Sequence, residues 1–186
     1  MLQLLWDFKD VFARSLDDIK QYPHYELGIE LLSNRKIFKR QYRLNSEDTE
    51  EVERQINKMS KADIIEPSET VEYNSPVFLV NKRDGSKRLV TDLRPLNAAI
   101  LPKLVQLSNI TELSRFLSVS DLYRGYWQVF LEKSSRPYTS FTSPKTGFRY
   151  QYCVAPFGLS TSPAAMLYVL NGIFGGKLKK ISFSIF

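Results

Sequence analysis

The chain has 186 residues, 43% hydrophobic and 25% charged, with a formal net charge of +6, which excludes collagen-like, low-complexity and wholly disordered chains and suits one domain or one domain plus part of a second. One cysteine, Cys153, and one histidine, His24, exclude an internal disulfide framework, a multi-cysteine zinc cage and any site that needs two histidines. No apolar run approaches the roughly 18 residues of a membrane span, and Asp7 and Asp10 stand where a secretory signal carries bases, so the expected address is intracellular, cytoplasmic by default, with no membrane partner.

Leu4, Phe8, Val11 and Phe12 recur at helical spacing and predict a short amphipathic helix over 2–13. Residues 14–45 have no clear period. Ser46 is a cap residue followed by acids at Glu47, Asp48, Glu50 and Glu51, and Val52, Ile56 and Met59 form one apolar stripe, so a helix is expected to about Ala62, with Pro67 ending any continuation. Residues 67–76 read as turn-rich, with exposed polar groups. A hairpin follows: strands 77–82 and 87–92 flank Arg83-Asp84-Gly85-Ser86, whose Asp-Gly pair has the backbone freedom a tight turn needs. A polar connection over 93–112 leads to a strand at 117–121. Two more strands are expected at 137–142 and 148–154 around a Ser143–Gly147 turn. A helix from Ser160 to about Phe174 carries Pro163 in its first turn, and a last strand spans 181–186. This mixed order predicts an α+β fold, with an antiparallel sheet and packed helices.

The charge is unevenly spread. Residues 1–70 carry 11 bases and 14 acids, whereas residues 71–186 carry 15 bases and 6 acids, a balance of +9. Such a portion suits a polyanion as well as it suits a plain soluble surface. The basic run Arg35, Lys36, Lys39, Arg40 and Arg43 reads as a solvated face. Asp121, at the end of a short β run, is placed either to hold a divalent cation or to cap the next turn. Lys82, Lys87 and Arg88 gather near the hairpin tip, where they either clamp phosphates or decorate a soluble loop. Tyr123, Tyr126, Trp127 and Phe157 suit either base and sugar stacking or core packing.

Three stretches in order, SPVFLVNKRDGSKRLVTDLRPLN (75–97), SVSDLYRGYWQV (118–129) and SRPYTSFTSPKTGFRYQYCVAPFGLSTSPA (135–164), resemble a reverse transcriptase, most closely that of gypsy-type long-terminal-repeat retrotransposon Pol polyproteins. The preceding QYRLNSEDTEEVERQINKMSKADIIEPSE (41–69) is similar to the segment that leads into the fingers of that family. The resemblance implies the fingers and part of the palm of a right-hand polymerase, with a lead-in over 1–45, a fingers-like region over 46–116 and a partial palm over 117–186. It makes Asp121 the first catalytic, metal-binding aspartate and gives the Leu122 carbonyl a share of the metal. Tyr126 becomes the aromatic under the incoming sugar, Lys82 and Arg88 the cations that hold the triphosphate, Phe157 and Gly158 the loop beside the nucleotide, and Arg94 a template-side residue. The implied cofactor is magnesium, two ions in a complete site. The implied partners are an RNA or DNA template-primer, deoxynucleoside triphosphates and the remainder of the Pol polyprotein.

The sequence departs from the family in two places. The segment between Leu107 and Phe116 is short, and the aromatic-x-Asp-Asp motif of the second catalytic strand is absent: after Asp121 the one acid is Glu132. The terminal ISFSIF matches the lead into that motif. The expectation is therefore a reverse transcriptase fragment that is inactive by itself in two-metal phosphoryl transfer. The alternatives are a non-catalytic nucleic-acid-binding fragment and a non-functional retroelement relic.

Overall fold

In a computed structural model of the chain, residues 13, 15–102 and 122–174 are described. The expected helix over 2–13, the strands at 117–121 and 181–186, and the short segment between Leu107 and Phe116 lie outside the described residues, apart from residue 13.

The first long element is helix α1, Ser46–Lys61, and its buried face is the expected stripe of Val52, Ile56 and Met59. The cap differs by one residue from expectation. Asn45, in extended conformation, accepts the Asp48 N–H on its side chain at 2.7 Å, and Ser46 is already helical. Asn45 Nδ2 returns to Asp48 Oδ2 at 3.1 Å, so the two side chains close the end reciprocally. Replacing Asn45 by Ala is expected to cost about 1 kcal/mol, read as a lower urea midpoint. The other end is closed by Asp63 rather than by Pro67. Asp63 takes a left-handed conformation (φ 53°), the Asp63 N–H reaches Ser60 O, and the buried Ile64 returns its N–H to Met59 O. Those two bonds form a Schellman ending.

Strand β1, Glu26–Leu27, lies in the stretch that showed no period and pairs in parallel with β5, Phe130–Leu131. Strand β2, Ile65–Pro67, lies at the edge of a three-stranded antiparallel sheet with β7, Arg149–Tyr152, in the centre and β6, Phe141–Thr142, on the far side. Pro67 is tolerated there because an edge strand can spare an N–H. The first half of the expected strand over 137–142 lies in a 3-10 turn, Arg136–Thr139, and only Phe141–Thr142 is strand. Pro137 starts that turn, and the Thr139 and Ser140 hydroxyls donate back to the carbonyls of Arg136 and Pro137, both at 2.7 Å.

The hairpin is as expected: β3, Val77–Asn81, pairs with β4, Lys87–Thr91, from Val77↔Thr91 to Asn81↔Lys87. Gly85 takes φ +78°, and Asp84 accepts both the N–H and the hydroxyl of Ser86. The connection after it contains a one-turn helix α2, Arg94–Asn97. Helix α3, Ser162–Phe174, starts two residues later than expected, with Pro163 in its first turn.

The stretch 67–76 is not uniformly exposed. Tyr73, Asn74 and Ser75 are buried. Their polar groups are matched: Asn74 exchanges backbone bonds with Ile37 and Lys39, its amide donates to Lys39 O at 2.7 Å, and it accepts from Thr142 Oγ1 at 2.7 Å. A polar segment can enter the interior when each group finds a partner. One continuous core results, which joins Val52, Ile56 and Met59 of α1 with Ile65, Val77, Leu96, Phe141, Val154 and, from α3, Ala165, Met166, Val169 and Leu170. Among the described residues, no helix is long and apolar enough to cross a membrane.

Candidate active site

A cavity of about 640 Å³ lies between the C-terminal half of α1, the hairpin, the segment around Tyr123–Trp127 and the Phe157-Gly158 loop. That volume is in the range of small-molecule sites. Lys82, Arg88, Phe157 and Gly158 all border it. The pairing register explains how the two cations come together. Arg88 lies opposite Val80, and Lys82 follows Val80 by two residues, so both fall on one face of the hairpin. Lys87 falls on the other face and binds Glu47 Oε1 at 2.9 Å and Asp48 Oδ1 at 2.7 Å at the start of α1. Its charge is neutralised, and the two carboxylates hold its ammonium pKa well above the usual lysine value. Lys82 and Arg88 have no ion-pair partner among the described residues.

The remaining predicted residues are placed as follows. Tyr126 does not border the cavity. It packs edge-on against Phe157 at 5.3 Å, and burial pushes its phenol pKa up. Leu122 is exposed, and its carbonyl accepts the Gly125 N–H at 3.1 Å, which leaves it a second lone pair. Arg94 lies away from the cavity and forms a fork with Asp92, Nε to Oδ1 at 2.7 Å and Nη2 to Oδ2 at 2.9 Å. Asp121 lies outside the described residues. Among the described residues, no group of three His, Cys, Asp or Glu side chains could hold a metal ion. Glu132, the acid that follows Asp121, sits against Gly28 and does not border the cavity. Cys153 is buried, and burial pushes its thiol pKa up to about 12, which disfavours the thiolate that nucleophilic or metal-binding chemistry needs.

Three features escaped the sequence reading. Asp92 is buried and accepts Lys39 Nζ at 2.9 Å and Tyr42 Oη at 2.6 Å besides Arg94, so Lys39 is not part of a merely solvated face. Asn97 spans the cavity's loop: its Nδ2 donates to Gly158 O at 2.8 Å, and its Oδ1 accepts the Ser160 N–H at 2.8 Å. Gly158 stands at φ +86°, a conformation that suits glycine. Arg124 also has a positive φ, 52°, and its guanidinium lies 4.7 Å from the Trp127 ring centre and 6.0 Å from that of Phe157. The pairing Asp-x-Arg at 92–94 was the one sequence signal available for any of them.

The fold is that of a polymerase. A foamy viral protease–reverse transcriptase, solved in complex with double-stranded DNA, superposes with a TM-score of 0.74 at 21% identity over 94% of this chain and 31% of that one. Residues 80–186 match the family model described as "Reverse transcriptase (RNA-dependent DNA polymerase)", and the chain belongs to that family. The Pol polyproteins of two Drosophila melanogaster transposons are similar to it. That of transposon 412 is 29% identical over 91% of the chain, and that of gypsy is 28% identical over 83%. The chain spans 14% and 16% of their respective lengths.

Proposed function

We propose that this chain supplies the triphosphate-binding and first-carboxylate part of a reverse transcriptase that extends a primer with deoxynucleotides on an RNA or DNA template. The observation that carries the reading is the convergence of Lys82 and Arg88 with the Phe157-Gly158 loop on one cavity. Lysine binds phosphate as a point charge and arginine as a planar fork, so the pair neutralises and orients a polyanionic tail. Phe157 offers a π-face to the sugar or base, and Tyr126, packed edge-on behind that ring, sets where the sugar rests. Asp121 and the Leu122 carbonyl are the groups that would hold magnesium, which supplies charge neutralisation on the phosphates when bound. The proposal places the second carboxylate pair in the remainder of the Pol polyprotein, since these 186 residues contain no aromatic-x-Asp-Asp. Arg94, fixed to Asp92, serves the template side. The same reading divides the chain into a lead-in (1–45), fingers (46–116) and partial palm (117–186).

The test is binding of a fluorescent deoxynucleoside triphosphate with magnesium, followed by anisotropy. Lys82→Ala and Arg88→Ala are each expected to weaken binding about tenfold, the loss of one charge-assisted hydrogen bond. Lys36→Ala, whose ammonium pairs with Glu72 away from the cavity, is expected to bind like the unaltered chain. Equal affinity in the Lys82→Ala, Arg88→Ala double variant and the unaltered chain overturns the proposal.

A further inference from the structure

We propose that Arg124 is a third phosphate-binding cation of this cavity, held ready by the rings of Trp127 and Phe157. The inference rests on the triphosphate reading above and extends it to a residue that the sequence reading left without a role. Arg124 borders the same cavity as Lys82 and Arg88.

The charges around that cavity fall into distinct groups. Arg54 is spent on Glu51, with Nη2 2.5 Å from Oε1, and that guanidinium holds the Glu51 carboxyl down at about 2. Lys87 is spent on Glu47 and Asp48. Lys58 and Lys61 lie in the last turn of α1, where a lysine complements the negative end of the helix. Lys82, Arg88 and Arg124 have no such structural employment, and no carboxylate pairs with any of them among the described residues. Asp17 is the one acid among the residues that border the cavity, so the space is built for an anion.

Arg124 is also prepared for the task. An aromatic ring attracts a guanidinium through its π-face and does not use up the N–H donors in ordinary hydrogen bonds. The contacts with Trp127 and Phe157 hold Arg124 at the cavity, and its guanidinium donates no hydrogen bond among the described residues. Its backbone is left-handed (φ 52°, ψ 42°), a conformation that disfavours a residue with a Cβ and that glycine would hold without strain. Such strain at the wall of a cavity points to a use for the side chain. A triphosphate carries enough negative charge to engage three cations at once.

The test is isothermal titration calorimetry of the 186-residue chain with inorganic tripolyphosphate at two salt concentrations. Arg124→Gly removes the guanidinium and relieves the backbone, so it is expected to melt no lower than the unaltered chain while binding about tenfold more weakly and with a flatter salt dependence. Arg124→Lys is expected to recover most of the affinity. If Arg124→Gly melts lower, Arg124→Gln decides instead, since it keeps a polar stem without charge and is expected to lose the same affinity. Arg124→Gly and Arg124→Gln binding within twofold of the unaltered chain, while Lys82→Ala and Arg88→Ala lose about tenfold, overturns the role of Arg124 and leaves the triphosphate reading standing. No binding by the unaltered chain, or no loss in Lys82→Ala and Arg88→Ala, overturns both.

Discussion

Phe141→Ala is expected to lower the free energy of unfolding by about 4 kcal/mol, the usual cost of deleting a buried phenylalanine ring from a packed core. Phe141 is fully buried. Its ring stacks with Tyr150 at 5.9 Å and lies 5.6 Å from Tyr152, and its backbone bridges Ser75 next to the hairpin. The residue therefore packs the three-stranded sheet from within and ties it to the segment that leads into β3. Removing the ring takes away its burial and leaves a void that neighbours fixed on three sides fill only in part. Urea unfolding followed by tryptophan fluorescence measures the change. A loss below about 1 kcal/mol would show that the sheet can collapse around the gap.

Asp92→Asn is expected to cost about 2 kcal/mol at neutral pH, because it weakens the charge-assisted bonds from Arg94, Lys39 and Tyr42 together. The cost stays at this level because Arg94 remains largely exposed and Lys39 partly so, and both can turn to water. The Arg94 guanidinium, with Tyr42 and Lys39, holds the Asp92 carboxyl well below the usual carboxylate range against the opposing effect of burial. A depressed pKa fixes the sign. The contribution is fully present above the unfolded value of about 3.9 and is lost as pH falls through the lower folded value. The stability gap between the unaltered chain and Asp92→Asn should accordingly be constant from neutral pH to about 4 and shrink below it. A gap that persists unchanged into strong acid would mean that the carboxylate charge does not stabilise the fold.

The elements that local chemistry dictates were legible in the sequence. The hairpin follows from two β-rich runs about an Asp-Gly turn, and α1 follows from a stripe at helical spacing. Lys82 and Arg88 could be singled out because a short turn must bring them close. Residues whose roles depend on distant partners were not legible. Asn74 is buried because segments 35 residues before it and 68 after it supply its bonds, and no local pattern reports that. Arg124 carried no signal beyond its charge, since its positive φ and its place beside the Trp127 and Phe157 rings are tertiary facts. The strand expected at 137–142 shortens to Phe141–Thr142 because hydroxyls bonding to their own turn outcompete sheet pairing before it.

The Asn97 amide has a mechanical consequence. Helix α2 follows directly from the end of β4, and Asn97 grips the Phe157-Gly158 loop at two points, Gly158 O and Ser160 N. Two parts of the cavity lining are thus joined through one short helix. A displacement of β4 is therefore passed through that helix to the loop that carries Phe157, and the buried Thr91–Tyr152 hydroxyl contact at 2.9 Å ties the same strand to β7 at a second point.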